Sequence, residues 1–124
     1  MDNKQFGKKL EKRTREFAVR IIRLSTELPN TPEARTIRNQ ITKSGTSIGA
    51  NYREANRARS KPDFKNKIAI CESEASETQY WLEVVTEVEW LSWEHRNQNM
   101  KNVPNCLRFS PRLKKNRLLT LHEC

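Results

Sequence analysis

The sequence has little of what other fold classes require. Only three glycines occur in 124 residues, too few for the repeated tight turns of a hairpin-rich β protein. No run of about 18 apolar residues is present, so nothing in the sequence reads as a membrane span. The opening segment from Met1 to Phe6 lacks the apolar stretch of a secretory signal, so a cytoplasmic location is expected. Cysteine is scarce: Cys71, Cys106 and Cys124 are an odd set at irregular spacing, and with His95 and His122 they match no zinc or disulfide pattern. Also missing are a phosphate-cradling P-loop and a dinucleotide-binding glycine motif. There is no nucleophile elbow and no metalloprotease helix motif. The expectation is a protein that is not an enzyme and needs no cofactor.

What is present is charge and a helical rhythm. Charged residues make up 31% of the chain and hydrophobic ones 35%, with a net charge of +9. At 14.6 kDa, residues 1–124 form a single domain. The charge is unevenly placed: residues 1–30 sum to +4, 31–62 to +5, 63–94 to −6 and 95–124 to +6. A basic balance attracts polyanions through counterion release, which makes nucleic acid the first partner to consider. The alternative is that Lys and Arg solvate helix faces.

Three helices can be read from the apolar spacing. In the first, about 3–28, Phe6, Leu10, Thr14, Phe17, Ile21, Leu24 and Leu28 recur every three or four residues and so share one face. Pro29 to Pro32 stop it, with Thr31 as N-cap and Pro32 opening the next helix. The second, about 32–58, carries a stripe through Ile37, Ile41, Ser44, Ile48, Asn51 and Ala55, flanked by Gly45 and Gly49. Two interior glycines cost about 1 kcal/mol each relative to alanine, so close approach of a neighbouring helix is expected there. The third, about 61–91, starts at a Ser60 cap with Asp63 near the positive helix end. Phe64, Ile68, Cys71, Ala75, Thr78, Leu82 and Val85 then alternate at four and three, a seam suited to knobs-into-holes packing. The expected core is Phe17, Ile21, Leu24, Ile37, Ile41, Ile48, Phe64, Ile68, Leu82 and Val85. Helices of such length pack most economically as an antiparallel bundle. Residues 95–124 are an atypical basic region in which Pro104 and Pro111 interrupt any long fourth helix.

Two groups of side chains carry functional expectations. Arg35, Arg38, Lys43, Arg53, Arg57, Arg59 and Lys61 lie on and after the second helix with Tyr52 among them. Arginines and an aromatic together can hold phosphates and stack bases. The competing readings are a polar outer face, or a surface that pairs with the acidic third helix of another subunit. Tyr80 and Trp81 lie beside the third seam with Trp90 and Trp93 further on, and read as a bundle flank or subunit contact. Glu72, Glu74, Glu77, Glu83 and Glu87 mostly fall off the seam, as a solvated or salt-bridging face rather than an acid–base pair.

The segments Ser44 to Asn56, Arg59 to Phe64 and Ile68 to Leu82 together carry a resemblance. They resemble the four-helix-bundle proteins encoded in intervening sequences of bacterial large-subunit (23S) ribosomal RNA genes, over roughly residues 3–94. That family is similar to the accessory protein of diversity-generating retroelements, which binds nucleic acid and a reverse transcriptase. The resemblance implies an all-α, up-down four-helix bundle assembled as a ring, a homopentamer, with RNA, DNA or a protein partner such as a reverse transcriptase. It supplies no catalytic residues. After Glu94 the sequence departs from the family pattern, and a frameshift in the gene would account for the basic tail. The functional expectation is a non-enzymatic, oligomeric nucleic-acid scaffold, with a structural adaptor for a protein partner as the alternative.

Overall fold

The computed structural model describes residues 3–91. Among them are three helices and no strand: α1 (Asn3–Ser25), α2 (Pro32–Asn56) and α3 (Lys61–Glu87). The expected fourth helix and Trp93 lie outside the described residues, so the all-α class stands and the bundle's helix count rests on three.

Each helix begins and ends for local reasons. The α2 cap forms as expected: the Ala34 N–H donates to the Thr31 hydroxyl at 3.1 Å, with Pro32 in the first turn. At α3 the Asp63 N–H donates to the Ser60 hydroxyl at 3.2 Å. α1 stops at Ser25, three residues before the expected end. There the Ser25 and Thr26 hydroxyls donate back to the Ile22 and Arg23 carbonyls, both at 2.6 Å, and Pro29 forbids a further helical turn. Leu28 stays buried nonetheless, inside the turn. α2 ends at Asn56 instead of 58, because the Arg57 N–H turns to the Glu54 carbonyl at 3.0 Å. α3 ends at Glu87 instead of 91, in a Schellman arrangement. The Trp90 N–H reaches the Val85 carbonyl and the Glu89 N–H the Thr86 carbonyl, each at 3.0 Å. Glu89 takes the left-handed conformation, φ 63°, where glycine is the usual occupant.

The helices run antiparallel, with α2 packed against both neighbours. Along α1 and α2 the paired positions run in opposite directions: Gly7 with Asn56, Thr14 with Gly49, Ile21 with Gly45. On the other side the Cys71 thiol donates to the Ile48 carbonyl at 3.4 Å, and the Thr78 and Ser44 hydroxyls meet at 2.9 Å. Those two hydroxyls are fully buried. Carbonyls of Glu74 and Ile41 lie 2.8 and 3.3 Å from them, so neither proton is left without an acceptor. The small residues of α2 thus serve two approaches at once: glycines admit α1, while Ser44 and the Ile48 carbonyl meet α3.

The buried stripe of α3 is the one expected, Ile68, Cys71, Ala75, Thr78, Leu82 and Val85. Of the expected core, Ile37 and Phe64 are only half-buried, packed against the cluster from its flank. On α2 the stripe passes through Tyr52, with Asn51 half-buried beside it. No described helix is long and apolar enough to cross a membrane.

Candidate nucleic-acid interface

Tyr52 is removed from the candidate surface. Its ring is completely buried, wedged where all three helices meet, so it has no face on which a base could stack. Its hydroxyl is enclosed beside the Asn56 amide without a hydrogen bond of acceptable geometry. Burial raises the phenol's pKa above its usual value, and Asn56 pulls it back only in part.

The seven cations of the sequence reading do not form one patch. Arg35 and Arg38 lie at one end of α2, and Arg53 and Arg57 at the other, about 30 Å away at 1.5 Å per residue. Arg38 is half-buried, and its Nη2 donates to the Leu28 and Pro29 carbonyls at 2.8 and 3.1 Å. That ties the α1–α2 connection to α2 and commits Nη2 to structure, with Nε buried beneath it. Lys43 is exposed midway along the helix, on the flank facing Glu74 of α3. Burial raises the pKa of Glu74, Glu77 adds to the shift, and Lys43 partly offsets it.

Arg53, Arg57, Arg59 and Lys61 do come together. All four are exposed, within the last turn of α2, the connection and the start of α3. Arg53 contacts Glu11 of α1, Nε to Oε1 at 3.7 Å, with half of its side chain still open to solvent. An exposed ion pair of this kind contributes little stability. Because α1 runs antiparallel to α2, this is also the end where α1 begins, and exposed Lys4, Lys8, Lys9 and Lys12 join it. Reading each helix by itself missed those lysines. The two groups meet only because α1 and α2 pair antiparallel, Gly7 beside Asn56 and Thr14 beside Gly49.

A different surface lies on α3. Tyr80 is 56% exposed and stands edge-on to Trp81, ring centroids 5.0 Å apart at 71°. Val88, which caps the C-terminus of that helix, is 47% exposed, and Trp90 packs against the core from the same end. Among the described residues no His, Cys, Asp and Glu are grouped to hold a metal ion. A dimple between Phe6, Lys9, Leu10 and Arg13 is too shallow to seat a small molecule.

Comparisons with known proteins agree with this architecture. The family model described as 23S rRNA-intervening sequence protein matches residues 8–109. A crystal structure of a protein with unknown function from the S23 ribosomal protein family of Bacteroides thetaiotaomicron is 42% identical. The match covers 74% of this chain and 85% of that one, with a TM-score of 0.70. No curated protein matches.

Proposed function

Since this chain belongs to the family of 23S rRNA-intervening sequence proteins, we propose that it is a non-enzymatic, cytoplasmic scaffold that self-associates and binds RNA or DNA through phosphates. The observation that carries this reading is the exposed group Arg53, Arg57, Arg59 and Lys61 at one end of the bundle. Arg53 and Arg57 are one helical turn apart and both are exposed, the condition for contacting a phosphate backbone. The designation of the structural neighbour, S23 ribosomal protein family, points in the same direction.

Self-association multiplies one modest site. A closed homo-oligomer, a pentamer by the family resemblance, repeats the cationic end several times, and multivalency raises avidity without a strong single contact. Residues 63–94 sum to −6, and exposed Glu77, Glu83 and Glu87 of α3 offer an acidic face to Arg35 and Lys43 of a neighbouring copy, cations outside the phosphate-binding end. Sedimentation showing only a compact monomer at working concentration would remove the oligomer.

The second reading is an adaptor that holds a protein partner on the Tyr80–Trp81 flank, favoured by the exposed ring of Tyr80. Salt separates the two. Titration of a structured RNA against the full chain should show affinity falling steeply between about 50 and 200 mM salt. Reversal of two contacts in Arg53→Glu/Arg57→Glu should weaken binding and flatten the logarithmic salt slope by about 1.8, roughly 0.9 for each phosphate contact. Affinity and slope unchanged in that variant would overturn the reading.

A further inference from the structure

Antiparallel packing gives the cationic end a second row. Lys4, Lys8, Lys12 and Arg15 follow one another at spacings of four, four and three, so they line one face of α1. All four are exposed, on the side away from buried Leu10, Thr14 and Phe17. The Arg53–Glu11 contact joins the outer face of α1 to that of α2, which places the row and the pair Arg53 and Arg57 on one continuous surface. Residues 4–15 and 53–65 carry eleven basic and three acidic side chains, a sum of +8, whereas the other described residues sum to −3. The bundle is electrically a rod with one strongly positive end.

That arrangement works against folding. The first turn of α1 has no acidic residue, and Lys4 within it lies at the positive end of the helix dipole, an unfavourable placement. Like charges at spacings of four repel by about 0.2–0.5 kcal/mol per pair. A charge pattern that costs stability locally is the expected mark of a surface kept for binding.

Among the described residues the same surface has no aromatic platform. Tyr52 is buried and Phe6 and Phe64 are half-buried against the core, while exposed Tyr80 belongs to the far half of α3. Single-stranded nucleic acid is held largely by stacking its bases on aromatic rings, and none is offered here. A double helix presents one phosphate charge per about 1.7 Å of axis. The row from Lys4 to Arg15, about 16 Å long, therefore lies against a duplex segment carrying about ten phosphates.

We propose that this end of the bundle is a sequence-independent docking face for double-helical nucleic acid, with Lys4, Lys8, Lys12 and Arg15 of α1 acting beside Arg53 and Arg57. This rests on the nucleic-acid reading above and assigns it a strand form and a second helix. The test compares the full chain with Lys8→Glu/Lys12→Glu, using a short RNA duplex and an oligouridine of the same strand length. The parent should bind the duplex at least about tenfold more tightly than the single strand, given its denser phosphates. The variant should lose most of the duplex affinity and about 1.8 of the salt slope. Its urea midpoint should stay the same or rise, because the repulsion is relieved. A gain in stability with a loss of binding is what a merely structural role for these lysines does not produce. Duplex binding by the variant equal to the parent's, or a preference for oligouridine, would overturn the α1 face. If Arg53→Glu/Arg57→Glu abolishes duplex binding in that case, the nucleic-acid reading survives without it. If neither variant changes binding, both fail.

Discussion

Replacing Gly45 by alanine sets two effects of known size against each other. In an open helix interior the change stabilises by about 1 kcal/mol, the difference in helix propensity. At this position the new Cβ would lie 2.7 Å from Cγ2 of Ile21 and 3.0 Å from its Cβ and Cγ1. Carbon atoms rest at about 3.5–4.0 Å, so three contacts are overfilled at once. All three involve the branched root of isoleucine, whose rotamer in a helix is nearly fixed, so no flexible tip can swing away. Relief requires α1 to move off α2, loosening the layer that holds Phe17 and Leu24. Overpacking costs about 1–3 kcal/mol, and three stiff contacts place this site in the upper half of that range. After the propensity gain, the net loss is about 1–2 kcal/mol. With a urea dependence of about 1–3 kcal/mol per molar for small domains, the midpoint followed by far-UV circular dichroism should fall by about 0.5–1 M. Gly49→Ala is the internal control. Its neighbours, Thr14 Oγ1 at 3.0 Å, Cβ at 3.2 Å and the backbone carbonyl carbon at 3.3 Å, are tight but none is under 3.0 Å, so the required shift is a few tenths of an ångström and the midpoint should fall by less than at Gly45→Ala. A rise at Gly45→Ala of the size expected from propensity alone would refute the close approach of α1 and α2.

Two further outcomes follow from buried titratable groups. Burial pushes the Cys71 thiol up to about 12, so at about pH 8 it carries almost no reactive thiolate. Peptide mapping after iodoacetamide should find Cys71 unmodified in the native protein and alkylated in denaturing urea; rapid native alkylation would mean that the α2–α3 seam opens. Glu74 binds its proton more tightly folded than unfolded, so its contribution to stability is complete below the ordinary carboxylate range and is lost as pH rises through its raised value. Glu74→Gln should therefore be more stable than the parent at neutral pH, with the difference in urea midpoint vanishing as pH falls below that range. A less stable glutamine variant at neutral pH would show instead that the pairing with Lys43 outweighs the burial.

The third helix was legible residue by residue because its four-three seam and its buried positions coincide from Ile68 to Val85. The caps at Thr31 and Ser60 were legible for a similar reason: the hydroxyl and the proline or acid beside it are local signals. The second helix was harder. It touches two neighbours, so its buried face is wide, and much of that face consists of serine and glycine, which an apolar count passes over. Tyr52 sits on that face beside Ala55 and Ile48, yet in sequence it lies among arginines and reads as a surface residue. The loss of Arg38 to the Leu28 and Pro29 carbonyls was invisible because it depends on how the α1–α2 connection folds back. The positive end of the bundle was illegible for a topological reason: its two rows of cations are about forty residues apart and meet only when α1 and α2 are paired antiparallel.

The most direct test of the account is to locate the bound nucleic acid on the protein. Amide chemical shifts of the isotope-labelled full chain, recorded while a short RNA duplex is added, report the contacted surface. The account predicts perturbations concentrated in residues 4–15 and 53–65, fading as salt is raised. Perturbations centred on Tyr80, Trp81 and Val88, or confined to residues 92–124, would contradict it.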